Sequence, residues 1–187
     1  MKKAFLLILI LMVSVISTAC INNLAVQELN NKAQEYLSKG DYESAIGRLK
    51  SSIDLDNTIY ETHYNLGIAY TQAEEYSDAV DEFKKVIELN PNFDMAYYSL
   101  AVAYENEAKD IINPPKKDDD DDDDISYDDK GKRVLTAEQK EEIAEKFNKA
   151  IDAYNNYLKK ATTTEKNADV NSKIEYLQNE IVKYTES

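Results

Sequence analysis

With 187 residues, 43% of them hydrophobic and 31% charged, the chain can bury a core and is too apolar to be disordered throughout. A formal net charge of -14 excludes the basic stripe that a phosphate backbone requires, so no nucleic-acid partner is expected and a neutral or basic partner fits more easily. One cysteine, Cys20, rules out an internal disulfide, and packing alone must hold the fold.

Lys2 and Lys3 precede an apolar run from Ala4 to Ile16. That run falls short of the roughly 20 residues a membrane-spanning helix needs and has the length of a signal-peptide core. Ser17, Thr18 and Ala19 then lead into Cys20. The arrangement resembles a bacterial lipoprotein signal with its lipobox, with Ser17 where that family prefers leucine. The resemblance implies removal of residues 1–19, diacylglycerol on the Cys20 sulfur, and a mature protein anchored firmly by its acyl chains at a bacterial membrane, outside the cytoplasm. The alternative is a secretory signal cut after Ala19, with the cysteine there by chance. Ile21 and Asn22 lack the aspartate that resembles an inner-membrane retention signal, which favours an outer membrane where two membranes exist. Residues 20–25 form a short tether, and at roughly 3.5 Å each they keep the rest close to lipid headgroups. A partner that is itself membrane-associated is expected.

Past the tether, a spacing of 34 residues organises the chain. Tyr36, Tyr70 and Tyr104 stand that far apart, and in the same register Tyr42 is echoed by Tyr76, Ala45 by Ala79, Leu49 by Phe83 and Leu55 by Leu89. Such a period marks a helical repeat array. A first unit over 26–59 pairs a helix near Leu24 to Ser38 with one from Tyr42 to Leu55. Gly40 between them supplies a left-handed helix end. A second unit, 60–93, pairs Tyr60 to Gln72 with Tyr76 to Leu89 around a turn at Glu74 and Glu75, and Pro91 stops it. Small residues (Ala33, Ala45, Gly67, Ala69, Ala79) fall where helices must approach closely.

The third unit is split into 94–110 and 137–161. Its first helix, Asp94 to Lys109, is followed by an insertion over 111–136 in which Pro114 and Pro115 end the helix and seven aspartates, Asp118 to Asp124, repel one another into a solvated loop. Thr136 and Gln139 form a capping box at the start of a long helix. There Phe147, Ala150, Tyr154 and Tyr157 restore the second-helix spacing. A last amphipathic helix over 169–185, with Asp169 placed to cap it, carries Val170, Ile174, Leu177, Ile181 and Tyr184 at intervals of three and four. Seven helices are predicted.

These residues resemble the tetratricopeptide repeat family. Leu66, Gly67, Tyr70, Tyr76, Ala79, Phe83, Val86 and Pro91 stand at its fixed positions, and the first unit matches with Ser52 for the usual alanine and Asn57 for the usual proline. The resemblance covers about 26 to 108 directly. It implies an all-α fold, a TPR-like α-α superhelix that is a right-handed solenoid of antiparallel helix pairs, with three repeats and a capping helix. It also implies a concave groove, lined by the first helix of each repeat, that holds a protein or peptide partner. From the family register the groove candidates are Asn30, Gln34, Glu61, Tyr64, Asn65, Ile68, Met95, Tyr98, Val102 and Glu105, each with ordinary helix packing as its alternative. Chaperone-type members grip a peptide carboxylate with basic residues; Asn65 matches one clamp asparagine, but Asn30, Met95 and Ser99 stand where cations are expected, so that clamp is absent.

Little in the chain points to catalysis, and no cofactor is expected. His63, the only histidine, aligns with Leu29 and Tyr97 at a packing position of the first helix. Four glycines in no phosphate-binding spacing and the lack of Cys and His ligands leave no nucleotide loop and no zinc site. Asp118, Asp120, Asp122 and Asp124 are weak candidates for a hard cation, but no glycine turn shapes them into a loop of the EF-hand kind. The chain therefore reads as a non-catalytic scaffold that binds an envelope-associated partner. The alternative is a cation-binding or electrostatic role centred on the aspartates.

Overall fold

The computed structural model describes residues 23–114, 133–161 and 164–185. Seven α-helices occur among them: α1 (23–38), α2 (Tyr42–Leu55), α3 (Tyr60–Gln72), α4 (Tyr76–Leu89), α5 (Asp94–Ile112), α6 (Ala137–Lys160) and α7 (Thr164–Thr185). The chain divides into two compact units, Met1–Glu74 and Glu75–Ser187, so the division falls between the two helices of the second repeat. The signal segment, Cys20 and the aspartate run lie outside the described residues. No helix of the described residues is long and apolar enough to cross a membrane.

In the first unit the turn after α1 follows from its residues. Gly40 sits at φ +74, where a side chain would crowd the backbone, and its N–H bonds the Leu37 carbonyl while the Asp41 N–H reaches back to that of Tyr36. Asp41 then caps α2, its Oδ1 accepting from the Ser44 N–H at 3.1 Å. Ala45, Ile46, Leu49 and Ser52 form the buried stripe of α2. Thr62, His63, Leu66, Gly67, Ala69 and Tyr70 form that of α3. The Asn30 amide nitrogen lies 2.9 Å from Ser52 Oγ and 3.1 Å from Thr62 Oγ1, tying three helices together. Residues 30 and 52 are equidistant from the turn at 41, so α1 and α2 run antiparallel. The near-constant offset of the Asn30–Thr62 and Gln34–Asn65 pairs makes α1 and α3 parallel.

The second unit repeats the plan. Ala79, Val80, Phe83 and Val86 form the buried stripe of α4, each 34 residues after its counterpart in α2. Fully burying a side chain the size of Phe83 or Phe147 contributes about 1.5–3 kcal/mol. The capping box at α6 is formed as predicted, with Gln139 N to Thr136 Oγ1 at 3.1 Å and Thr136 N to Gln139 Oε1 at 3.0 Å. Contacts of Glu107 with Lys146, Tyr104 with Lys149 and Tyr97 with Lys160 climb one helix as they descend the other, so α5 and α6 are antiparallel. Val170, Ile174 and Leu177 of α7 are buried, and the Tyr184 ring stands 6.3 Å from that of Phe147.

Two boundaries differ from expectation. The fifth helix continues to Ile112, and α7 begins at Thr164 rather than 169, so Asp169 is an exposed residue inside the helix and not its cap. No glycine or proline between 164 and 169 interrupts the helical path, and a cap signal alone does not start a helix where nothing stops it upstream. His63 packs as expected: it is 5% exposed, with Nε2 3.1 Å from the Asn57 carbonyl.

Candidate functional site

On α3, Glu61, Tyr64, Asn65 and Ile68 recur at helical spacing and form one face: Glu61 is exposed and the other three are partly so. Gln34 of α1 adjoins it, its Nε2 3.4 Å from Asn65 Oδ1. Asn30 departs from its expected role. Its amide nitrogen is engaged by Ser52, Thr62 and the Val26 carbonyl, and its Oδ1 is buried without a partner among the described residues. Asn30 is a packing residue, and Ser52 in place of the usual alanine was the signal that a polar cluster lies inside.

On α5, Met95, Tyr98 and Val102 are half-buried, and Glu105 is buried. The Tyr98 ring meets Tyr154 and Tyr157 of α6 edge-on, at centroid distances of 5.6 and 5.5 Å. The Tyr154 hydroxyl donates to Glu105 Oε2 at 3.2 Å, while Lys109 pairs with Oε1 at 2.5 Å. Glu105 is thus satisfied internally and is not the partner contact that its register position suggested. Burial, then the Glu105 charge, raises the Tyr154 pKa beyond the ordinary tyrosine range, so the phenol stays neutral. Tyr157 shifts the same way, through burial and then the nearby Asp94 carboxylate. None of the ten expected groove residues is basic.

A feature not foreseen from sequence lies on the other side of α5. A cleft of about 350 Å³ opens between α4, α5 and α6, with Ile87, Leu100 and Ala153 among its apolar lining. The Tyr104 ring also lines it, and Lys84 and Lys149 each place an ammonium 5.8 Å from that ring's centre. Each lysine also pairs on its own helix, Lys84 with Asp81 at 3.3 Å and Lys149 with Glu145 at 2.5 Å. The Glu145 bond raises the Lys149 pKa; for Lys84 partial burial opposes the charge, but Asp81 and Tyr104 outweigh it, and both stay protonated. Asp152 and Asn156 complete the polar part of the wall.

Comparison with known proteins agrees with this architecture. A tetratricopeptide repeat family model matches residues 60–93, a TPR repeat model matches 33–73, and a further tetratricopeptide repeat model matches 82–112. No curated protein matches the chain. Among solved structures, the first TPR of Spaghetti (RPAP3) bound to the HSP90 peptide SRMEEVD is similar with a TM-score of 0.57 and 14% identity over 85% of this chain and 97% of that one. The TPR2B domain of yeast Sti1 in a pHsp70 complex gives 0.53 and 14% over 84% and 98%, and the Sgt2 TPR domain from Aspergillus fumigatus gives 0.52 and 12% over 87% and 82%. At these identities the likeness establishes the fold, which is all-α and of the TPR kind. Residues 33–112 of this chain carry tetratricopeptide repeats.

Proposed function

We propose that the protein is a non-catalytic interaction scaffold, anchored through Cys20 outside the cytoplasm of a bacterium, which holds a segment of an envelope-associated protein against the first helices of its repeats. The observation that carries this reading is the face of α3, where Glu61, Tyr64 and Ile68 offer an acid, an aromatic ring and an aliphatic group in one row. Partly exposed tyrosine is an efficient contact group because it covers much area with few rotors. Solved TPR neighbours are described in complex with HSP90 and HSP70 peptides, which supports a peptide-like ligand. With no basic residue among the ten groove positions and a net charge of -14, the segment is neutral or basic rather than acidic.

The test is crosslinking and capture from intact cells. The double variant Glu61→Lys/Tyr64→Ala should lose at least tenfold of the captured partner, and Cys20→Ser should release the protein from the membrane fraction. Tyr98 is unsuitable for this purpose, since its ring packs against Tyr154 and Tyr157. Capture that survives the α3 changes but fails when 118–124 is deleted would replace this reading with an electrostatic role for the aspartates.

A further inference from the structure

The geometry points to a seat for one arginine or lysine side chain of a partner protein, built on α5 from Asp94, Met95, Tyr98 and Val102 with Asp169 of α7 nearby. Spacing defines the place. Asp94 and Tyr98 are four residues apart, and Met95 and Val102 lie three before and four after Tyr98, so all four share one helix face, where each is partly exposed. Behind Tyr98 that face is closed. The Tyr98 ring stands against Tyr154 and Tyr157, which are 0% and 2% exposed, so Tyr98 alone of the three offers surface to a ligand.

Charge then selects the ligand. Burial first, and carboxylates after it, raise the pKa of both inner phenols: Glu105 and Asp169 act on Tyr154, and Asp94 acts on Tyr157. Both aspartates are therefore within electrostatic reach of the cluster. Glu105 is answered by Lys109 and by the Tyr154 hydroxyl, whereas Asp94 accepts only from the Met95 N–H, at 2.8 Å. Neither Asp94 nor Asp169 forms an ion pair among the described residues, Lys173 one turn beyond Asp169 included. Lys160, at the facing end of α6, is turned onto Tyr97, 5.3 Å from that ring's centre. Two carboxylates without a bound counter-charge beside a partly open tyrosine favour a cation. A metal ion is the poorer match, since no group of three acids able to hold one occurs among the described residues. Met95 and Val102 instead supply an apolar strip for the aliphatic stem of a basic side chain, which sets its charged head beside Asp94 and Tyr98. All these residues belong to the second unit, so the site does not rest on the α3 reading.

The test is an NMR titration of the full chain with acetyl-Leu-Arg-Leu-amide. Saturable shifts are expected at the Met95 and Val102 methyls and the Tyr98 ring, and none from the same peptide with citrulline, a neutral isostere, in place of arginine. Asp94→Asn keeps the acceptor for the Met95 N–H, and Asp169→Asn changes an exposed residue, so both variants should fold. Each should weaken binding about threefold and the two together about tenfold. Tyr64→Ala, and replacement of Asp118 to Asp124 by asparagine, should leave the midpoint unchanged. The proposal is overturned by any of the following outcomes: no saturable shift at Met95, Tyr98 and Val102; equal shifts from the citrulline peptide; unaltered binding in the double variant; loss of binding with the aspartate run; the same shifts from calcium alone; or shifts confined to α3, which would support that surface instead.

Discussion

Lys50 holds its ammonium 5.4 Å above the centre of the Tyr70 ring, and 34 residues later Lys84 stands 5.8 Å above Tyr104. Each pair joins the second helix of one repeat to the first helix of the next, α2 to α3 and α4 to α5. The contact therefore belongs to the repeat itself. A double-mutant cycle with Lys50→Met and Tyr70→Leu, read from urea denaturation, should return a coupling of about 0.5–1 kcal/mol. A coupling indistinguishable from zero would mean that only the lysine stem matters.

Glu74 occupies the place in the second repeat that Gly40 has in the first, and it adopts the same left-handed backbone, at φ 62 against 74. A side chain there is strained by roughly 1–2 kcal/mol, and glycine's greater freedom in the unfolded chain offsets part of the relief. Glu74→Gly should therefore stabilise by about 0.5–1 kcal/mol, while Gly40→Ala should destabilise by about 1 kcal/mol. The helix that follows lacks a side-chain cap at Glu75, whereas Asp41 caps its counterpart. Glu75→Asp should add about 0.5–1 kcal/mol, visible as a higher urea midpoint.

The hydroxyl of Tyr154 and the carboxylate of Glu105 fix an alkaline limit. Because the folded phenol has a raised pKa, the unfolded chain loses that proton first, near pH 10. Its contribution to stability is complete below that point and falls as pH rises above it. Tyr154→Phe should cost about 1 kcal/mol at neutral pH, by leaving Glu105 short of a donor. It should also flatten the loss of stability between pH 9 and pH 11. An unchanged slope in the variant would assign the alkaline limit to other groups.

Arg133 donates to the carbonyls of Ile111 and Ile112, so the chain returns from its insertion to the point where α5 ends. The guanidinium satisfies carbonyls that a helix end leaves open and sits at the negative end of the helix dipole. Replacing 115–132 by a short Gly-Ser link should leave thermal unfolding nearly unchanged, since each doubling of loop length costs only about 0.6 kcal/mol. Arg133→Ala in the same background should cost about 1 kcal/mol. Loss of cooperative unfolding on excision would show that the inserted segment is part of the core.

Helices α2, α3 and α4 were legible to the residue because a repeat supplies the same information twice, and their ends carry local punctuation in Gly40, Asp41, Asn90 and Pro91. Residue Asp169 misled because a cap marks where a helix can begin, not where it must. The groove was harder to read. Register places Asn30 and Glu105 on the same face as Glu61, but whether a polar side chain at such a position faces water depends on what the neighbouring helix brings to it. For Asn30 that is Ser52 and Thr62, and for Glu105 it is Tyr154 across an interval of 49 residues. The lysine cleft was missed for a related reason. The echo of Lys50 in Lys84 was visible, but the convergence of Lys149 depends on where α6 resumes after the insertion.

The clasp at Arg133 turns the interrupted repeat into an engineering port. Cargo spliced between Pro114 and Arg133, whether an epitope, an enzyme or a reporter, would leave and rejoin the bundle at a single corner. Its own folding would then be uncoupled from that of its host.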